Sequence, residues 1–117
     1  MTATDTVLPV DSYRDAAVHL RRPFTPAAVK FKIQSTAKNN TLGLVVAYID
    51  SRLVVERLNA VCPHLWHDEY QRVDGGGLLC RLTIDGITRI DVGEALGPKA
   101  LFSDAFKRAA VKFGVGV

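Results

Sequence analysis

Three cations crowd one stretch of this 117-residue chain, Ser103-Asp104-Ala105-Phe106-Lys107-Arg108-Ala109-Ala110-Val111-Lys112-Phe113-Gly114, and what lysine and arginine do together best is hold anions. Phe102, Phe106, Ala109, Ala110 and Phe113 recur at spacings of three and four, which lays them on one face of a helix. Lys107, Arg108 and Lys112 fall on its flank and back, where they stay in water or meet an anion. Ser103 stands where an N-cap is expected, Asp104 suits the positive helix end, and Gly114 suits a left-handed stop. A basic amphipathic helix is common in globular proteins, and its charges are often only a solvated face. The rest of the chain has to decide whether these cations do more.

Other chemistries find little support. Cys62, His64, His67 and Cys80 are the one metal-like set, but they lack the tight paired spacing of a zinc site, so no metal is expected. The two cysteines read as buried thiols rather than a disulfide framework. Asp74-Gly75-Gly76-Gly77 has no Gly-Lys-Ser/Thr ending, and a strand follows where a phosphate-binding loop needs a helix. Asp68 and Glu69 are adjacent and point to opposite faces of a strand, so they make no acid/base pair. Ser103 is explained by capping. No catalytic residue set, cofactor or enzyme activity is expected.

Composition bounds the rest. With 48% hydrophobic residues in 117, one core is feasible and two are not, so residues 1–117 are expected to form a single domain with residues 1–9 flexible. No apolar run reaches the ~18 residues of a membrane span. Met1-Thr2-Ala3-Thr4-Asp5 lacks a basic stretch followed by an apolar block, so a cytoplasmic protein is expected. The net charge of +3 is modest, but it is unevenly placed. From Asp50 to Pro98 eight acids meet five arginines; between Ala16 and Ile49 there is no acid, and Arg21, Arg22, Lys30, Lys32 and Lys38 stand unopposed. After Pro98, Lys99, Lys107, Arg108 and Lys112 face only Asp104. Two cationic blocks thus flank a mildly acidic middle, and a fold that joins them makes a positive groove for phosphates.

The elements that must position these residues are legible from periodicity. Asp11 to Arg22 reads as a helix capped by Asp11 or Ser12, with Ala16, Ala17, Val18 and Leu20 apolar and Pro23 as the stop. Val29 to Gln34 alternates strictly, turning Val29, Phe31 and Ile33 inward and Lys30, Lys32 and Gln34 outward. A polar turn at 38–41 and an apolar return strand from Leu42 to Tyr48 complete a hairpin. Asp50 can cap a central helix with Leu53, Val54, Leu58 and Val61 as its packing side, ending at Pro63. Leu65–Val73, Leu78–Ile84 and Ile87–Val92 form a three-stranded meander through Asp74-Gly75-Gly76-Gly77 and Asp85-Gly86 turns. The expected class is α+β: an antiparallel sheet, hairpin plus meander, packed against the central helix and the C-terminal basic helix.

Read as words rather than patterns, Asp104 to Gly114 closely resembles the signature helix of the Rad fifty-two/Rad twenty-two type single-strand annealing proteins. Ala47-Tyr48-Ile49-Asp50-Ser51-Arg52, Cys80-Arg81-Leu82-Thr83-Ile84 and Ile90-Asp91-Val92-Gly93-Glu94 resemble the same family in the same order, and the likeness runs from about Val29 to Gly116. The resemblance implies a phage or bacterial member that binds single-stranded DNA and anneals strands without ATP, in homologous recombination or double-strand break repair. It implies that Lys107 and Arg108 contact the DNA backbone at the base of a groove. Lys30, Lys32, Gln34 and Lys38 of the hairpin are then expected on the other wall, with Lys112 and Lys99 as further contacts. It also implies a homo-oligomeric ring or helical filament, associated with the nucleoid. Eukaryotic relatives carry a further arginine where this chain has Val111. Phe31, Phe106 and Phe113 are expected in the core, Tyr48 and Trp66 around the central helix, and binding is expected to rest on phosphates. An RNA-binding or RNA-annealing module, and a small assembly protein whose basic faces meet acidic partners, remain the alternatives.

Overall fold

The computed structural model describes residues 8–36, 43–95 and 97–116, with 32–36 and 43–46 described by backbone alone. Ser12 starts the first helix, α1 (Tyr13–Leu20), by accepting a hydrogen bond from the Asp15 amide at 3.3 Å. Ala16, His19 and Leu20 form its buried side. Val18, expected among the apolar positions, is 60% exposed. It stands two residues from both Ala16 and Leu20, about 200° around the helix from each, and so faces away from them.

A 3₁₀ turn, Pro26–Ala28, leads into β1 (Val29–Thr36), which pairs antiparallel with β2 (Gly43–Ile49). The register slips by one residue between Ile33 and Ser35, which makes Gln34 the bulged position. The α+β class, with a hairpin and a three-stranded meander, is as expected, the hairpin forming a two-stranded sheet of its own. Phe31, expected in the core, is 66% exposed, because alternation buries a strand face only where another layer covers it, and Ala47 opposite Phe31 is exposed as well.

Asp50 caps α2 (Ser51–Val61), accepting from the Arg52 amide at 2.9 Å, and Val54, Leu58 and Val61 are buried along it. The meander follows as β3 (Trp66–Arg72), β4 (Leu78–Ile84) and β5 (Ile87–Gly93), in the order β3-β4-β5, antiparallel throughout. In β4, Leu78, Cys80, Leu82 and Ile84 are buried while Leu79, Arg81 and Thr83 are only partly so, as the period of two requires. Trp66 packs as expected around the central helix: its indole N–H donates to Asn59 Oδ1 at 3.0 Å and its ring lies 6.1 Å from that of Phe106.

The last helix, α3, runs Pro98–Val111. It begins five residues before the expected Ser103 cap, because Pro98 occupies its first turn, where the missing N–H is no loss and the ring presets φ. Gly97 precedes it at φ 85° without a side-chain cap. Ser103 is therefore an interior helical residue, and Asp104 instead accepts from the Glu94 amide at 3.0 Å and from Arg108 Nε at 3.1 Å. The stop is where expected: Gly114 takes φ 89° and Val115 N–H reaches back to the Ala110 carbonyl at 3.2 Å.

α3 lies across β4 and β5, α2 packs on α3, and α1 packs on α2. Gly93 is what lets α3 settle on β5, since a Cβ there would sit 2.5 Å from the Ala105 amide nitrogen. Phe106, Ala109, Ala110, Phe113, Leu20, Leu58, Leu82 and Ile84 belong to one core cluster. Cys62 and Cys80 are both free thiols inside it. Burial raises the Cys62 thiol, and burial pushes Cys80 up to about 11.

Candidate nucleic-acid interface

Tyr48 is the residue at which the two cationic blocks meet. It sits near the end of β2 directly opposite Lys30 of β1, so both side chains share one face of the hairpin. From α3, the Lys107 ammonium lies 5.3 Å from the centre of the Tyr48 ring, within cation–π range. Tyr48, Lys107 and Arg108 line one small hollow with Ile49, Val54 and Val111. An early strand and a late helix thus bring Lys30, as the cross-strand neighbour of Tyr48, and Lys107, over its ring, to one region of the surface.

The positive surface continues along the N-terminal end of α2. Lys30 Nζ lies 3.3 Å from Asp50 Oδ2, and Arg52 Nε lies 4.0 Å from Asp50 Oδ1. The Arg52 amide, then the Lys30 ammonium, hold the Asp50 carboxyl below its ordinary range. Asp50 keeps its charge and ties the two cations to the helix cap. Lys30 and Arg52 border one depression with Asp50, Leu53 and Glu56. Asp50 and Arg52 also border a larger open groove of about 630 Å³, whose other bank is Lys99, Phe102, Ser103 and Phe106 of α3.

Lys99, Ser103 and Lys107 succeed one another at spacings of four and form a single stripe along α3. Neither α2 nor α3 has an acid in its first turn; each has a cation there, Arg52 or Lys99. Cations at helix N-termini are disfavoured by the helix dipole; at α2 the Asp50 cap offsets part of that potential, whereas α3 has no side-chain cap and its free first-turn N–H groups add to it. Both helix starts border the same groove, where Arg52 and Lys99 stand beside the carboxylates of Asp50 and Asp68.

The structure does not gather every expected residue there. Arg108 lies on the outer side of α3, paired with Asp104, although it also lines the Tyr48 hollow. Lys112 turns to the far flank, donating to the Ile90 carbonyl and lying 3.9 Å from Asp91 Oδ2 on β5. Lys32 stands opposite Val46, two residues along β1 from Lys30, and Gln34 is at the bulge; their side chains, like all of Lys38, lie outside the described residues. Arg52 was not among the residues expected at the site. Its signal was present: a basic side chain two residues past the N-cap Asp50, 89% exposed in the fold, at a position where the dipole favours an acid.

Among the described residues no group of three or more His, Cys, Asp or Glu is gathered as metal ligands, and no helix is long and apolar enough to cross a membrane. Burial, and then the hydrogen bond from its hydroxyl to Asp68 at 2.7 Å, hold the Tyr70 phenol far above its ordinary range.

Fold and site together define an α+β protein with cations gathered at two helix starts and the base of a hairpin. Comparison with known proteins finds two curated relatives. The chain is 44% identical over 110 residues to a single-stranded DNA-binding protein DdrA of Deinococcus deserti, and 40% identical over 110 residues to a single-stranded DNA-binding protein DdrA of Deinococcus radiodurans. Each match covers 87% of this chain and 55% or 53% of the relative, so the chain spans about half the length of the curated relatives it matches. No family model matches the chain. No solved structure matches it either.

Proposed function

We propose that this chain is a non-enzymatic single-stranded DNA-binding module whose phosphate track runs from Lys107, Tyr48 and Lys30 past Arg52 to Lys99. The observation that carries this reading is that Lys107 of α3 lies over Tyr48, the cross-strand partner of Lys30, since residues 77 positions apart in sequence have no local reason to come to one corner of the fold. The names of the two Deinococcus relatives support DNA as the polyanion. Contacts of this kind read the backbone and are nearly blind to base sequence.

Within that reading, the resemblance to the Rad fifty-two type proteins supports strand annealing without ATP, in recombination or break repair in a bacterial cytoplasm. Copies of the chain align their grooves in a ring or filament. One strand is held, a second samples it, and stacking of the new duplex supplies about 1.4 kcal/mol per base step. The test is a fluorescence annealing assay on complementary oligonucleotides without nucleotide, beside binding to matched DNA and RNA strands. Acceleration of annealing with tighter DNA than RNA binding is expected. Equal or stronger RNA binding would favour the RNA module, and no binding to either at low salt would leave the acidic-partner reading.

A further inference from the structure

Phe102 belongs by spacing to the apolar stripe of α3, yet it is 46% exposed. Its ring is held edge-on against Tyr70 of β3, with centroids 4.8 Å apart and planes at 61°. Tyr70 is itself fixed by its hydroxyl bond to Asp68. The exposed ring is therefore a rigid surface, costing little further order on binding. Phe102 and Tyr70 border two open depressions at once. One is the 630 Å³ groove, where Arg52 and Lys99 are exposed beside Asp50, which Lys30 and Arg52 pair, and Asp68, which Tyr70 occupies; the other, about 510 Å³, contains Arg72, Gln71 and Pro98. An exposed ring between cations on both sides is the arrangement by which single strands are held, bases on aromatics and phosphates on lysine and arginine.

We propose that Phe102, seated on Tyr70, is a stacking platform for a base of single-stranded DNA. The flanking phosphates lie toward Arg52 and Lys99 on one side and toward Arg72 on the other. This rests on the function proposed above and extends its track beyond the phosphate contacts at Tyr48. It adds a base-dependent, sequence-tolerant component, because every base has a π-face.

The test compares an oligo-dT with an abasic oligonucleotide of the same length and charge, bound to the wild-type chain, Phe102→Ala, Phe102→Leu and Phe102→Trp. Phe102→Leu keeps an apolar side chain at the position, and thermal melts followed by circular dichroism establish that each variant is folded. The wild type is expected to prefer oligo-dT by roughly fivefold or more. Phe102→Ala and Phe102→Leu should bring the two affinities together, and Phe102→Trp should restore the gap. An unchanged preference in folded Phe102→Ala and Phe102→Leu, or no preference in the wild type, overturns the platform alone. So does a fall in sedimenting mass with the preference intact, which would make Phe102 a contact between copies of the chain. Failure of the wild type to bind either oligonucleotide overturns the functional reading and the platform together.

Discussion

At the scale of single residues, charge and shape separate cleanly. Asp50 sits among the cations of the track and also caps α2. Asparagine caps as well as aspartate but carries no charge, so Asp50→Asn should lower the melting temperature at neutral pH only by the small contribution of its exposed ion pairs, while raising affinity for single-stranded DNA at low salt, measured by fluorescence anisotropy. The linkage sign follows from its lowered pKa: what the charged Asp50 contributes to stability is present above the unfolded value of 3.8 and is lost as pH falls below it. Asp50→Asn should therefore flatten the acid limb of a stability-versus-pH curve. Phe106, by contrast, is 4% exposed beneath α3, and Phe106→Ala should cost about 3–5 kcal/mol in urea unfolding. Cys62 and Cys80, buried and with raised pKa values, should react with thiol reagents at pH 8 only when the chain unfolds; prompt modification of the folded protein would show that the core around β4 is open.

At the scale of elements, what periodicity can express was legible and what depends on neighbours was not. The strict alternation of β4 and the packing side of α2 were readable because each is a local pattern with a buried layer on it. Phe31 and Val18 were misplaced because hydrophobic type says what a side chain prefers, not whether another layer arrives to cover it. The start of α3 was misread because Ser103 looks like a cap in isolation, while Gly97-Pro98 fixes the start five residues earlier. Two close contacts carry testable consequences. Gly93→Ala drives a methyl into the Ala105 backbone, so it should lower stability by about 1–3 kcal/mol, or more if α3 cannot lift. Arg57 donates to the His19, Leu20 and Arg22 carbonyls at the end of α1 and lies 4.2 Å over the Phe24 ring. Arg57→Met keeps the packing and removes the donors, and should cost about 1.5–3 kcal/mol.

At the scale of the whole molecule, the division of charge into two cationic blocks around an acidic middle was visible in the sequence, and the fold brings one residue from each block to Tyr48. Which lysines would meet was less legible. Lys112 and Lys107 are five positions apart on one helix, and only the neighbours of α3 decide that one faces β5 and the other the hairpin. The motif Ala47 to Arg52 falls at the corner where β2 meets α2, and Arg52 enters the proposed DNA track because the starts of α2 and α3 border one groove. Because the proposed track is made of cations, its affinity for a single strand should fall as salt rises, by a slope of about 0.7 per phosphate contact. The most direct measurement is the salt dependence of oligo-dT affinity for the wild type and for Lys30→Ala/Lys107→Ala, with folding checked by thermal melts. Loss of the two cations should weaken binding at every salt concentration and lower the log–log slope by about 1.4. A folded double variant with wild-type affinity and wild-type slope would contradict the convergence of hairpin and helix on one strand of DNA.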